Sequence, residues 1–432
     1  MLFVNFYELK ILFMSMKQEN IEHQEEPQID YSHWKDWYLG IQSIFYFAQG
    51  AAFTGVILIP VFLQNQLGLT AEDAIGAQSM IMIPWYIKII FGLTSDNYPI
   101  GRFGRRKPYI LIAGIMGVVG WFVFGNLSKY SSAVIITGIL MTGSVAVADT
   151  VFDSLGVDIV PPHRRGHLQG FGWGFRGLGG ALSGYLLGVI ISDLGWSRAY
   201  MILGGLMTLG CFATLLVYEP KTIAGREIDK ISFADLKNEF KKPNTWLISL
   251  FNILGGIGIG IIMVISTYLN DEFGIEIEGL GLGVSYFAIG QFAGALVIGY
   301  LGQKFPLKIV LTSTVLAYVG LIAGLLGLDF TSQDRLFAVI GILGAINGGF
   351  EATQMRISME FSVGPLSGTM YGWYNSMSNL AQTGIGAVII AQVAVATGSY
   401  PIGMQISSIF LLLTLIPGFK AIKKIPVELQ KS

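Results

Sequence analysis

The sequence predicts an all-α membrane protein: twelve transmembrane helices in two pseudo-symmetric six-helix bundles. Three observations predict it. The 432 residues are 53% hydrophobic and only 13% charged, with mean hydropathy +0.60, against about 25% charged residues in soluble globular chains. Twelve stretches reach the roughly 20 mostly apolar residues that a bilayer crossing requires. Lys and Arg gather in alternate connections, as they do when short basic loops stay on the cytoplasmic side.

Taken in order, residues 1–35 form a cytoplasmic tail. Met1 to Met16 is apolar but broken by Glu8 and Lys10. It lacks the basic start, clean apolar stretch and small-residue cleavage site of a signal peptide. Gln18 to Asp30 is acidic, a composition that favours disorder; Met16 is an alternative start. The first half, 36–217, holds apolar stretches at 38–63, 74–94, 108–127, 133–158, 168–192 and 198–217. A polar linker, 218–244, follows. The second half, 245–420, holds stretches at 245–269, 283–303, 308–328, 333–359, 368–396 and 400–420, and 421–432 is a second tail.

This threading places 21 basic residues in the tails and in the loops on their side, and only Lys129, Arg198 and Arg335 on the other side. Both termini are therefore expected in the cytoplasm. The loop between the second and third spans concentrates Arg102, Arg105, Arg106 and Lys107. The halves also repeat. Shifted by 202 positions, Asp149 falls on Glu351, Asp158 on Glu360, Gly166 on Gly368 and Gly170 on Gly372; near the front of each half, Gly92 falls on Gly299 at a shift of 207. Parallel halves of this kind are a known transporter architecture.

Charges inside the apolar stretches are the best pointers to function, because each must be compensated. At 1.5 Å per residue, Lys88, Asp149, Asp153 and Arg176 lie about 8–14 Å from the cytoplasmic end of their helices. Asp149 and Asp153 are four residues apart and share one helical face. The four charges sum to zero, so a Lys88–Asp149/Asp153–Arg176 cluster is expected, either lining a central cavity or simply holding helices together. In the second half Glu351 and Arg356 also balance. Gln42, Tyr46 and Gln49 make a polar stripe on the first span, facing the cavity or bonding a neighbouring helix. Trp173 and Trp373 offer faces for a flat ring, or pack. Asn347 and Asn375 add hydrogen-bonding groups; Asn252, Tyr286 and Gln291 carry weaker signals.

Several function classes are disfavoured. The single Cys211 provides no disulfide or cysteine metal site. The four histidines lie in the first tail and the 159–167 loop. There is no phosphate-binding loop and no Gly-x-Ser-x-Gly. The chain is read as a non-enzyme without cofactor or metal, acting on a small-molecule substrate in a lipid bilayer, with no nucleic-acid partner and expected to be a monomer. Transport is then driven by gradients or runs downhill. A proton on Asp149, Asp153 or Glu351 is the expected coupling ion and sodium is the alternative.

Two motifs identify a resemblance. GLTSDNYPIGRFGRR, from Gly92 to Arg106, resembles the cytoplasmic loop motif of the major facilitator superfamily, stretched by a few residues. Asp158, Pro161, Arg165 and Gly166 match a second superfamily pattern after the fourth span. The resemblance implies a cytoplasmic gate formed by Gly92, Asp96, Gly104, Arg105, Arg106, Asp158, Arg165 and Gly166. The segments IPWYIK, GRRKPYIL, DTVFDSL and HLQGFGWGFRGLGG are similar to the folate–biopterin transporter family, with the sugar–cation symporters next nearest. This covers about the first half of the chain. It implies alternating-access transport of a pterin- or folate-like organic anion across the cell membrane, or of a sugar in the second case.

Overall fold

The structure is a computed structural model, described here for residues 34–100, 104–159, 165–219, 232–325, 332–362 and 366–426. Most of the first tail, Arg102 and linker residues 220–231 therefore lie outside the described residues. Every described element is helical. In chain order these are α1 Tyr38–Ile57, α2 Ile59–Leu67, α3 Ala71–Ile81, α4 Ile83–Tyr86, α5 Lys88–Asn97, α6 Lys107–Gly125, α7 Ser132–Ile159, α8 Arg165–Leu194 and α9 Trp196–Ala213. The linker contributes α10, Phe233–Glu239. The second half holds α11 Pro243–Gly258, α12 Ile265–Phe273, α13 Ile277–Lys304, α14 Leu307–Gly324, α15 Gln333–Glu360, α16 Ser367–Asn379, α17 Ala387–Thr397, α18 Tyr400–Leu413 and α19 Leu415–Ile422.

Among the described residues, nine helices are long and apolar enough to cross a bilayer, and the α1–α2 pair, bent by 44°, makes ten. The stretches expected to be continuous at 74–94 and 245–269 are instead series of shorter helices. The first breaks at Met82 and Ile87, around the Pro84 turn. Proline removes an N–H and clashes with the preceding turn, so a helix kinks there. The second passes through a 3₁₀ segment, Gly260–Met263, after the glycine-rich end of α11. A third irregularity is a π-helical segment, Leu380–Gly386, joining α16 to α17.

Composition dictates the packing. On α6 the residues Ile112, Ile115, Met116, Val119 and Phe122 share one exposed face, while Gly114, Gly117, Gly120 and Trp121 are buried. An apolar outside and a small-residue inside suit a helix whose solvent is lipid, where backbones associate through close contact. In the first half α1 packs on α8 and α9, and α6 on α7 and α9. In the second, α13 packs on α15, and α18 on α11, α14 and α17. The halves meet along α8–α13, along α3 and α5 against α17 and α16, and at α2–α12. These contacts are related by the sequence repeat. Residues 71–97 shifted by 207 fall on 278–304, which is α13, and residues 165–194 shifted by 202 fall on 367–396, which is α16 and α17.

Candidate functional site

Four helices of the first half bring their polar residues together. Lys88 stands at the start of α5, directly after the Ile87 break, and its ammonium forms an ion pair with Asp149 Oδ2 of α7. Gln49 of α1 donates its amide to the other oxygen of Asp149. One turn along α7, Asp153 accepts from the hydroxyl of Tyr46. The stacked rings of Phe45 and Phe152, 4.3 Å apart, hold α1 against α7 beside these bonds. The Lys88 ammonium also lies 4.8 Å from the Trp85 ring centre, a cation–π contact worth most where water is excluded.

Arg176 completes the group from α8. Its guanidinium lies 5.4 Å from the Phe53 ring centre. It acts electrostatically on Asp149 and Asp153 in the first half and on Glu351 in the second. Tyr371 of α16 reaches back in the same way toward Asp149 and Asp153. The cluster thus extends across the junction between the halves. Asp153 has ample accessible surface, yet Tyr46, Asp149 and Tyr371 surround it. Lys88 and Asp149, by contrast, are buried, at 5% exposure each.

The second half has its own polar group. Glu351 of α15 accepts a 2.5 Å hydrogen bond from Gln291 of α13. Asn347, one turn earlier, and Gln382, in the π-helical segment, stand beside the same carboxylate. The α13–α15 approach that brings Gln291 in depends on glycine: a Cβ on Gly348 would sit 2.0 Å from the Gln291 carbonyl oxygen. Arg356 is half-buried, and the acidic neighbour acting on it is Glu360.

The remaining sequence candidates fall in different places. Gln42 is buried against Gly172 with its Oε1 unpartnered. Trp373 donates its indole N–H to Ser249 at 2.9 Å and meets Phe240 edge-on, so its ring is engaged at the linker. Asn375 accepts from Asn379. Asn252 bonds Ser358 and the backbone of its own helix. Gly92 leaves ordinary contact room beside Thr150. Gly166 and the side chains of Asp96, Asp158, Arg165 and Trp173 lie outside the described residues.

The basic loop is organised by a residue that sequence reasoning passed over. The Glu219 carboxylate, just past the sixth predicted span, accepts the backbone N–H groups of Arg105 at 2.7 Å, Arg106 at 2.5 Å and Lys107 at 3.1 Å. It therefore caps the start of α6, where N–H groups lack partners and negative charge is favoured. Gly104 has φ +113°, and a Cβ there would strike the same carboxylate at 2.6 Å. The Arg106 guanidinium turns inward to Ser95 at 2.6 Å. The missed residues have weak signals. Tyr371 and Gln382 are ordinary polar residues in apolar helices, and Glu219 is a loop acid beside Pro220.

A family model described as the BT1 family matches residues 54–264, and that of the Major Facilitator Superfamily matches residues 245–431. The folate-biopterin transporter of Synechocystis sp. is 28% identical over 192 residues, 44% of this chain and 38% of that protein. The anhydromuropeptide permease of Escherichia coli K12 is 27% identical over 268 residues, 56% of this chain and 52% of the permease. The chain thus spans about two fifths to one half of the length of these relatives. Among solved structures, a D323A mutant of the nucleoside transporter NupG superposes with TM-score 0.68 at 15% identity, covering 89% of this chain and all of that one. The chain has the major facilitator fold, and its first half is similar to the folate–biopterin transporters. The proteins it resembles are transporters and permeases, not enzymes.

Proposed function

We propose that this multi-pass member of the major facilitator superfamily is a secondary active transporter that moves a small organic solute by alternating access. The observation that carries the reading is Arg176, which acts on carboxylates of both halves, among them Asp153, whose surface is accessible in mid-helix. A charge shared between two halves is compensated in one arrangement and must find new partners in another. Solute and coupling ion can therefore both bias the equilibrium through it. Twelve crossings follow if the broken series 71–97 and 243–273 each count as one. The halves are then 36–217 and 245–420, joined by the 218–244 linker, with both termini cytoplasmic, in a monomer of the cell membrane. The cation that drives transport is received by one of Asp149, Asp153 and Glu351.

The proposed solute is a pterin- or folate-like organic anion. The similarity to folate–biopterin transporters supports it, as does Arg176, a cation acting on the accessible Asp153. A second reading, a neutral sugar moved with a cation, is favoured by one observation: the Lys88 charge is already neutralised by Asp149, leaving amides as the surrounding donors. Uptake of labelled folate, biopterin and disaccharides into proteoliposomes separates the two. Accumulation of sugars alone replaces the first reading with the second, and accumulation of none removes both.

A further inference from the structure

We infer that Glu351, Asn347, Gln291 and Gln382 form a sodium site in the second half of the chain. The inference rests on the gradient-driven reading above and names its coupling ion. It begins with Asn347. This side chain has no exposed surface; its amide oxygen has no donor, and its amide nitrogen has only a loose approach to the Glu351 carboxylate. Burying an amide oxygen with nothing bound to it is costly, and native structures almost always supply a partner. The amide nitrogen of Gln382, a residue 7% exposed, likewise reaches that carboxylate only loosely. Both stand beside the Glu351 carboxylate, whose other neighbour is the Gln291 amide. Three carboxamides and one carboxylate thus converge, Gln291 donating to the carboxylate and the other two amides held only loosely, and each amide can turn its oxygen inward.

Charge points to the occupant. The groups facing Glu351 from the packed helices are Arg176 of α8 and Tyr318 of α14. Arg176 is shared with Asp149 and Asp153, and Lys88 is committed to Asp149. With every group in its charged form, Lys88 and Arg176 stand against Asp149, Asp153 and Glu351, which leaves one negative charge in excess. The network then lacks one positive charge, and Asp153 and Glu351 are the carboxylates in it with accessible surface. A water molecule fills the amides but leaves that deficit. A divalent ion overfills it, and a single carboxylate among neutral oxygens is too little charge for calcium or magnesium. A monovalent hard cation satisfies both conditions. The backbone agrees, because Gln382 lies in the π-helical segment. Single π turns inside α-helices recur at functional sites, and irregular helix segments line the ion sites of transporters. Glu351 is only half-buried, which leaves the ion a way in.

The test is thermal unfolding of the purified full-length chain in lipid nanodiscs at fixed pH and ionic strength, titrated with NaCl against KCl and choline chloride. The wild type is expected to gain a saturable shift in Tm with sodium. Asn347→Leu removes the amide atoms at nearly constant size. It is expected to fold, and to weaken the sodium midpoint by about tenfold or more, as loss of a site group commonly does. Glu351→Gln should abolish the shift. Equal melting of the wild type in all three salts overturns the site, as does a sodium shift retained by both variants. Stabilisation that follows acidification alone also overturns it, by assigning the missing charge to a proton. Sodium stabilisation without uptake of any folate or biopterin supports the site and removes the solute reading. Folate uptake with no sodium response does the reverse.

Discussion

Lys88, the first residue of α5, and Asp149, in the middle of α7, form an ion pair whose side chains are 6% and 7% exposed. Neither group has solvent to fall back on, so the pair stands or falls together. Gln49 and the Trp85 ring take up the remaining capacity of the two charges.

Removing one partner leaves the other buried and uncompensated, a loss of about 3–5 kcal/mol, whereas replacing both by apolar residues of similar size is often neutral. Lys88→Met and Asp149→Leu are each expected to lower the melting temperature sharply in detergent. The double variant should recover most of that loss. Additive losses in the double variant would count against a buried pair.

A second expectation concerns the Glu219 cap. Glu219→Ala removes the acceptor for three N–H groups at the start of α6. Loss of a helix cap typically costs about 0.5–2 kcal/mol. Glu219→Gln keeps an acceptor and should cost less. Hydrogen exchange at residues 105–107 reads this directly: faster exchange in the alanine variant alone is the expected result, and unchanged exchange contradicts the cap.

Much of this site was legible in the sequence, for a physical reason. Lys88, Asp149, Asp153 and Arg176 stand out because charges are rare at bilayer depth, and helical rise alone placed them at one level. The link from Arg176 to Glu351 was not legible. It joins residues 175 positions apart, on helices whose rotation only the packing sets. Arg356 shows the converse, since its sum with Glu351 is zero but its acidic neighbour is Glu360. The helix breaks had visible causes in Pro84 and the glycine run of α11, yet hydropathy averages across a break. Trp373 shows that an aromatic at repeat-related depth is as readily committed to packing.

A third expectation follows from α13 and α15. Gly348→Val places side-chain atoms against the Gln291 backbone. Overpacking of this kind costs about 1–3 kcal/mol. It should also draw Gln291 from Glu351. A lower melting temperature together with a changed cation response is expected; a changed response without destabilisation would argue against steric displacement.

The linker provides a pH expectation outside the membrane. Asp235, fully exposed, is held below its ordinary carboxyl value by hydrogen bonds from the Ser232 hydroxyl and backbone N–H. A carboxyl lowered in the folded state stabilises above its unfolded value, and that contribution is lost as pH falls through the folded one. The amides of α10 should therefore lose protection, measured against their intrinsic exchange rates at each pH, as the solution is acidified through the carboxylate range. Asp235→Asn should remove that dependence, and a pH response persisting in the variant would assign it to another group.

The central claim is that Arg176 couples the two halves during gradient-driven transport. Its most direct measurement is folate accumulation in proteoliposomes with an inward cation gradient, comparing wild type with Arg176→Gln at matched protein density and melting behaviour. The account predicts that the wild type accumulates folate above the bath concentration and loses this when an ionophore collapses the gradient, and that Arg176→Gln does not accumulate it. Equal accumulation by the two proteins, or uptake by the wild type that ignores the gradient, would contradict it.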